Sequence, residues 1–158
     1  MNIGYLEKLC GTLLCAFTLP LAAHANTDAC TVLSSAQVGS AAGVPVSAGK
    51  HVTPTFLRTC TWTPSGTSEV VAITLNLQTA AAYDGGKRMA AEMVAGGASI
   101  TPAAVGDDGY YFVTGDQVGL LVKKGDVSFK VAVYAKLPVA KKEAMELALA
   151  RQALGKLG

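Results

Sequence analysis

From Val127 to Lys136 the chain keeps a strict period of two: Val127, Phe129, Val131, Val133 and Ala135 alternate with Ser128, Lys130, Ala132, Tyr134 and Lys136. A helix cannot sort residues with that period, whereas a strand does so at every step, so the chain is committed to a sheet with one buried face. Glu69–Gln78 repeats the pattern, with Val71, Ile73, Leu75 and Leu77 inward and Ala72, Thr74, Asn76 and Gln78 outward. Thr55–Thr63 alternates too, and its aromatic residues mark Phe56, Arg58, Cys60 and Trp62 as the core side. Tyr110–Thr114 and Val118–Lys124 complete a set of about five strands. Tight turns at Pro64-Ser65-Gly66 and Gly125-Asp126 make the sheet mainly antiparallel.

Three helices accompany these strands. Ser34 and Ser35 are placed to cap a short helix through Ala42, which Gly43 ends before Pro45. Thr79–Ala95 is alanine-rich, offers Tyr83, Ala90, Met93 and Val94 for an inner face, and stops at Gly96-Gly97. Lys141–Leu157 carries an apolar stripe of Ala144, Leu147, Ala150, Leu154 and Leu157, with Lys142 and Glu146 supporting it at i, i+4 spacing. The order α-β-β-α-β-β-β-α predicts a two-layer α+β domain over residues 26–158, its helices covering one face of the sheet.

The first 25 residues stand apart. Lys8 precedes an apolar run from Leu9 to Ala23, and Ala23-His24-Ala25 has the small-x-small form of a signal-peptidase site. Cleavage there sends a chain of about 130 residues to the periplasm or the medium, long enough to bury a core as one domain. After Ala25 no apolar run reaches the roughly 18 residues of a membrane span. Cys10 and Cys15 leave with the leader, so Cys30 and Cys60 remain as an even pair in an oxidising compartment. Their spacing lacks the Cys-x-x-Cys device of a redox centre, so the pair reads as a structural disulfide.

Composition and motifs then exclude several functions. Loss of Glu7 and Lys8 with the leader turns 13 basic and 11 acidic residues into 12 and 10, and the basic residues are scattered. A nucleic-acid binder concentrates them. His51 is the one histidine left, in a loop without an orienting partner, which argues against acid–base catalysis and zinc. Asp107-Asp108-Gly109 reads as a turn before it reads as a hydrolytic carboxylate pair. No cofactor fingerprint occurs.

What remains is surface. Lys130, Tyr134 and Lys136 face outward on the last strand, and one of Tyr110 and Tyr111 must face away from the core at a sheet edge. These residues predict an exported, non-enzymatic binding module of the periplasm or cell envelope, with an envelope protein or small ligand as partner. The alternative is a ligand pocket between sheet and helices lined by Phe56, Trp62 and Phe129.

Several segments are also familiar. Asp28-Ala29-Cys30-Thr31-Val32-Leu33-Ser34, Cys60-Thr61-Trp62-Thr63, Val105-Gly106-Asp107-Asp108-Gly109-Tyr110-Tyr111 and the Lys123-Lys124-Gly125 hairpin resemble small exported bacterial proteins and lipoproteins of unknown function, of the DUF3558 kind. The chain departs from the lipoprotein members in its lipobox: Leu13-Leu14 precede Cys15, where small residues are needed. The resemblance implies a small exported protein, rests on structural motifs, and assigns no activity or site residue.

Overall fold

The computed structural model describes residues 27–66 and 68–157, so the leader assigned to residues 1–25 lies outside the described residues. Ser34 caps the second helix as its position requires: its hydroxyl accepts from the Gln37 amide, and the Gln37 side chain accepts from the Ser34 amide. Gly43 closes that helix at φ 68°. The elements in order are α1 (Ala29–Val32), α2 (Ser35–Ala42), β1 (Lys50–His51), β2 (Thr59–Trp62), β3 (Val70–Thr79), α3 (Ala80–Met93), β4 (Ser99–Pro102), β5 (Asp108–Thr114), β6 (Gln117–Lys124), β7 (Val127–Ala135) and α4 (Val139–Leu157).

The domain is α+β, and its sheet has seven strands rather than about five, all antiparallel, in the order β1-β2-β3-β7-β6-β5-β4. The two extra strands are the short edges β1 and β4, which fall in segments too brief and too polar to show a period. Two meanders, β1–β3 and β4–β7, meet where β3 pairs with β7. Consequently the link from β3 to β4 must cross three strands to the far edge, about 19 Å at four strand spacings. The 14 residues of α3 span about 21 Å. Helix length thus matches the crossing.

That crossing corrects the expected layering. α1, α2 and α4 pack on one face, over a core that includes Val38, Trp62, Leu75, Phe129, Val131 and Leu149. α3 covers part of the other face, where Tyr83 and Ala90 close over Tyr110 and Leu121. Tyr83 and Tyr110 meet edge to face at 5.5 Å. Lys87 bonds Asp108 at 2.6 Å and Lys123 bonds Asp84 at 2.9 Å, so two ion pairs tie α3 to the β5–β6 hairpin.

Other local expectations shift for physical reasons. A bulge between Val70 and Ala72 buries Val70 and turns Val71 out, while Ile73, Leu75 and Leu77 face in as expected. The strand assigned to Thr55–Thr63 is extended only at Thr59–Trp62; turns occupy the preceding residues and leave Phe56 exposed. Trp62 and Phe129 lie in the closed core, so they do not line a pocket with Phe56. Met93 and Val94 are exposed, because the face of α3 turned to the sheet is Tyr83 and Ala90. The buried stripe of α4 is Lys142, Glu146, Leu149, Ala150, Ala153 and Leu157, with Ala144 outside.

Candidate functional site

Lys142 and Glu146 are buried because the sheet opens in front of them. Pairing of β6 with β7 runs from Lys124↔Val127 to Leu120↔Val131, and Gln117–Gly119 have no partner on β7. In the gap, the Val133 amide donates to Glu146 Oε1 at 2.9 Å. Lys142 Nζ donates to the Asp116 carbonyl on one side and, at 3.5 Å, to the Ala135 carbonyl on the other. The Tyr111 hydroxyl donates to the Glu143 carbonyl at 3.1 Å and holds α4 in this register. Two polar side chains therefore replace ladder bonds between diverging strands, which satisfies backbone groups that burial would otherwise leave unpaired.

The open end of the gap is a cleft of about 220 Å³, lined by Val71, Asp116, Gln117, Val133, Tyr134, Ala135, Lys136 and Lys142. Its electrostatics are unusual. Lys142 is 2% exposed, and among the described residues no carboxylate oxygen lies within 4 Å of its ammonium. Burial pushes the Glu146 carboxyl up to about 8, against the Val133 amide and the nearby Lys130 and Lys142 ammonium groups. At neutral pH Glu146 is thus mostly protonated and does not offset its neighbour's charge. Lys136 and the half-exposed Tyr134 stand at the mouth, with Asp116 as the one acid there. A small anionic group entering the cleft meets a desolvated cation, an aromatic hydroxyl and a second lysine.

The five surface residues singled out from the sequence are not brought together. Tyr134 and Lys136 line the cleft; Lys130 lies with Tyr110 in a groove of about 130 Å³ under α3, beside Met89, Met93 and Phe112. Neither tyrosine of the Tyr110-Tyr111 pair is exposed: Tyr110 is buried beneath α3 and Tyr111 against α4. They do face opposite sides of the sheet, but both sides are covered. Lys142, the base of the cleft, was legible only as half of a helical surface pair, since nothing local marks a lysine for burial.

The paired aspartates of the β5–β6 region are committed to structure. The Asp107 carboxylate accepts from the Gly125 amide at 2.7 Å and Asp108 is paired with Lys87, so both carboxylates hold the β5–β6 region. A wider groove of about 550 Å³ beside α2 is lined by Ala, Gly, Ser, Pro and Val residues, without a charged group to orient a ligand. The expected Cys30–Cys60 disulfide is present. No helix among the described residues is long and apolar enough to cross a membrane. No family model, curated protein or solved structure matches the chain.

Proposed function

We propose that this chain is an exported binding module of the periplasm or cell envelope, and that its binding site is the Tyr134 cleft, which takes a small anionic ligand. The observation that carries the reading is Lys142: a buried ammonium in a cleft wall, met by two backbone carbonyls and, among the described residues, by no carboxylate within 4 Å. Burying a cation costs several kcal/mol, which carbonyl dipoles offset only in part. An incoming carboxylate supplies the missing counter-charge. The volume is below the ~300–1,000 Å³ of pockets for larger ligands, so the ligand is small or is one terminus of a longer molecule. Export is supported by the apolar leader and by a disulfide, which persists in oxidising compartments.

Thermal unfolding in the presence of succinate, with its uncharged diamide as control, tests the assignment. Succinate should raise the midpoint saturably, the diamide should not, and Tyr134→Ala and Lys136→Glu should each abolish the effect without changing the far-UV spectrum. A midpoint insensitive to succinate, or equally raised in both variants, removes the cleft as an anion site.

A further inference from the structure

At the β1 edge of the sheet, Asp28, His51 and Cys30 stand close together where α1 meets β1. His51 lies directly across the β1–β2 pair from Cys60, and its side chain is only 19% exposed. Its Nε2 is 3.2 Å from the Asp28 carboxylate. Its Nδ1 is 3.7 Å from Cys30 Sγ and 3.2 Å from the Thr59 carbonyl oxygen. The two cysteines differ in burial: Cys30 as a residue is partly exposed, and Cys60 is fully buried beneath Gly49.

Each part of this cluster has a chemical consequence. A carboxylate that orients an imidazole, with a sulfur at the other ring nitrogen, is the arrangement that activates a thiol. A neutral ring has one N–H and donates to one acceptor; a ring that has taken the thiol proton donates to both Asp28 and the Thr59 carbonyl. A partly exposed cysteine backed by a fully buried one also favours an order of events, because exchange proceeds at the sulfur that an outside reactant can approach. We infer that Cys30 and Cys60 form a dithiol–disulfide exchange centre, with Cys30 as nucleophile, His51 as its proton acceptor, Asp28 as a positioning residue and Cys60 as the resolving thiol.

In the reduced state Cys30 passes its proton to His51 and attacks one sulfur of a substrate disulfide. The substrate S–S bond breaks, and the departing thiolate takes the proton from His51. Cys60 then attacks Cys30 Sγ, the mixed disulfide breaks, and the second substrate sulfur leaves with the Cys60 proton. The protein dithiol is oxidised by two electrons to the disulfide found here, and the substrate disulfide is reduced to two thiols. The co-reactant is any accessible alkyl disulfide, of a small molecule or of another exported chain.

The test uses the reduced protein, with iodoacetamide labelling read by peptide mass spectrometry and Trp62 emission as the monitor of folding. Cys30 should alkylate about tenfold faster than Cys60, and His51→Gln should slow Cys30 by about tenfold. Added imidazole should restore part of the rate in His51→Ala, a rescue that a merely structural histidine would not show. Asp28→Asn, which retains the side-chain oxygen that caps the Cys30 amide, should slow Cys30 severalfold. Oxidation by glutathione disulfide and by insulin should follow the same order of variants, and the faster of the two identifies the kind of substrate. Equal alkylation of both cysteines with red-shifted Trp62 emission would make the bridge a staple whose loss unfolds the domain. An unchanged Cys30 rate in folded His51→Gln would equally overturn the assignment.

Discussion

Lys142 and Glu146 are one turn apart on α4 and enter the same gap between β6 and β7, yet no Glu146 oxygen lies within 4 Å of the Lys142 ammonium. They are not an ion pair. Each serves the backbone of a strand that has lost its neighbour, and the second Glu146 oxygen, Oε2, has no partner among the described residues.

This arrangement gives stability a pH dependence of definite sign. Burial raises the Glu146 carboxyl from its ordinary 4.5 to about 8, so the folded state keeps a proton that the unfolded state releases. The contribution is complete below about pH 4.5 and is lost as pH rises through about 8, with a slope of up to about 1.4 kcal/mol per unit between. Glu146→Gln keeps the acceptor for Val133 and removes the titration. Urea unfolding at about pH 5, 7 and 9 should show the wild type weakening while the variant stays flat; parallel curves would contradict the assignment.

Tyr83 carries a fully buried hydroxyl with no well-formed hydrogen bond among the described residues, and burial, with the Asp108 carboxylate close by, pushes that hydroxyl above its ordinary range. Tyr83→Phe should therefore leave stability unchanged or raise it by up to about 1 kcal/mol. Tyr83→Ala removes the ring that α3 sets against Tyr110 and should cost about 3–5 kcal/mol. A clear loss in the Phe variant, measured by denaturant midpoint, would show that the hydroxyl is bonded.

Gly49 and Gly119 should respond differently to the same methyl group. A Cβ at Gly49 would lie 2.5 Å from Cys60 Sγ and 2.8 Å from the Trp62 indole nitrogen, both fixed in the core. Gly49→Ala should cost about 1–3 kcal/mol. At Gly119 the Cβ would lie 2.5 Å from Lys130 Cε, the far end of a flexible chain that can move aside. Gly119→Ala should change stability by less than about 1 kcal/mol. Similar losses at both positions would mean that Lys130 is as tightly held as the disulfide corner.

The disulfide closes a sequence separation of 30 residues. Replacing both cysteines by alanine should lower stability by about 3–4 kcal/mol in the chain-entropy model. The domain should still fold, since its main core spans both meanders and three helices. A shift in urea midpoint without a change in slope is the expected result; loss of cooperativity would mean that the bridge defines the α1–β2 corner rather than restraining it.

Features carried by local period and local chemistry were legible. The buried faces of β3 and β7, the Ser34 cap and the Gly43 stop follow from neighbouring residue types, apart from the bulge that reverses Val71, and the cysteine pairing follows from Cys30 and Cys60 forming an even pair beyond the leader. The cleft was legible only at its rim, through Tyr134 and Lys136. His51 read as a loop residue without an orienting partner because the groups around it come from other segments, Asp28 and Cys30 from the start of α1 and the Thr59 carbonyl from β2.

By itself, then, the sequence determined an α+β domain with antiparallel strands and an apolar face, because a side-chain period of two permits no other backbone. The tertiary structure decided the rest: that β7 pairs with β3, that α3 must cross to the far edge and cover a second face, and that β6 and β7 part in front of α4. The reason is one of range. Alternation records which side of a strand is buried, but not which distant strand lies beside it, and a lysine or glutamate is buried only where two diverging strands leave backbone groups for it to satisfy.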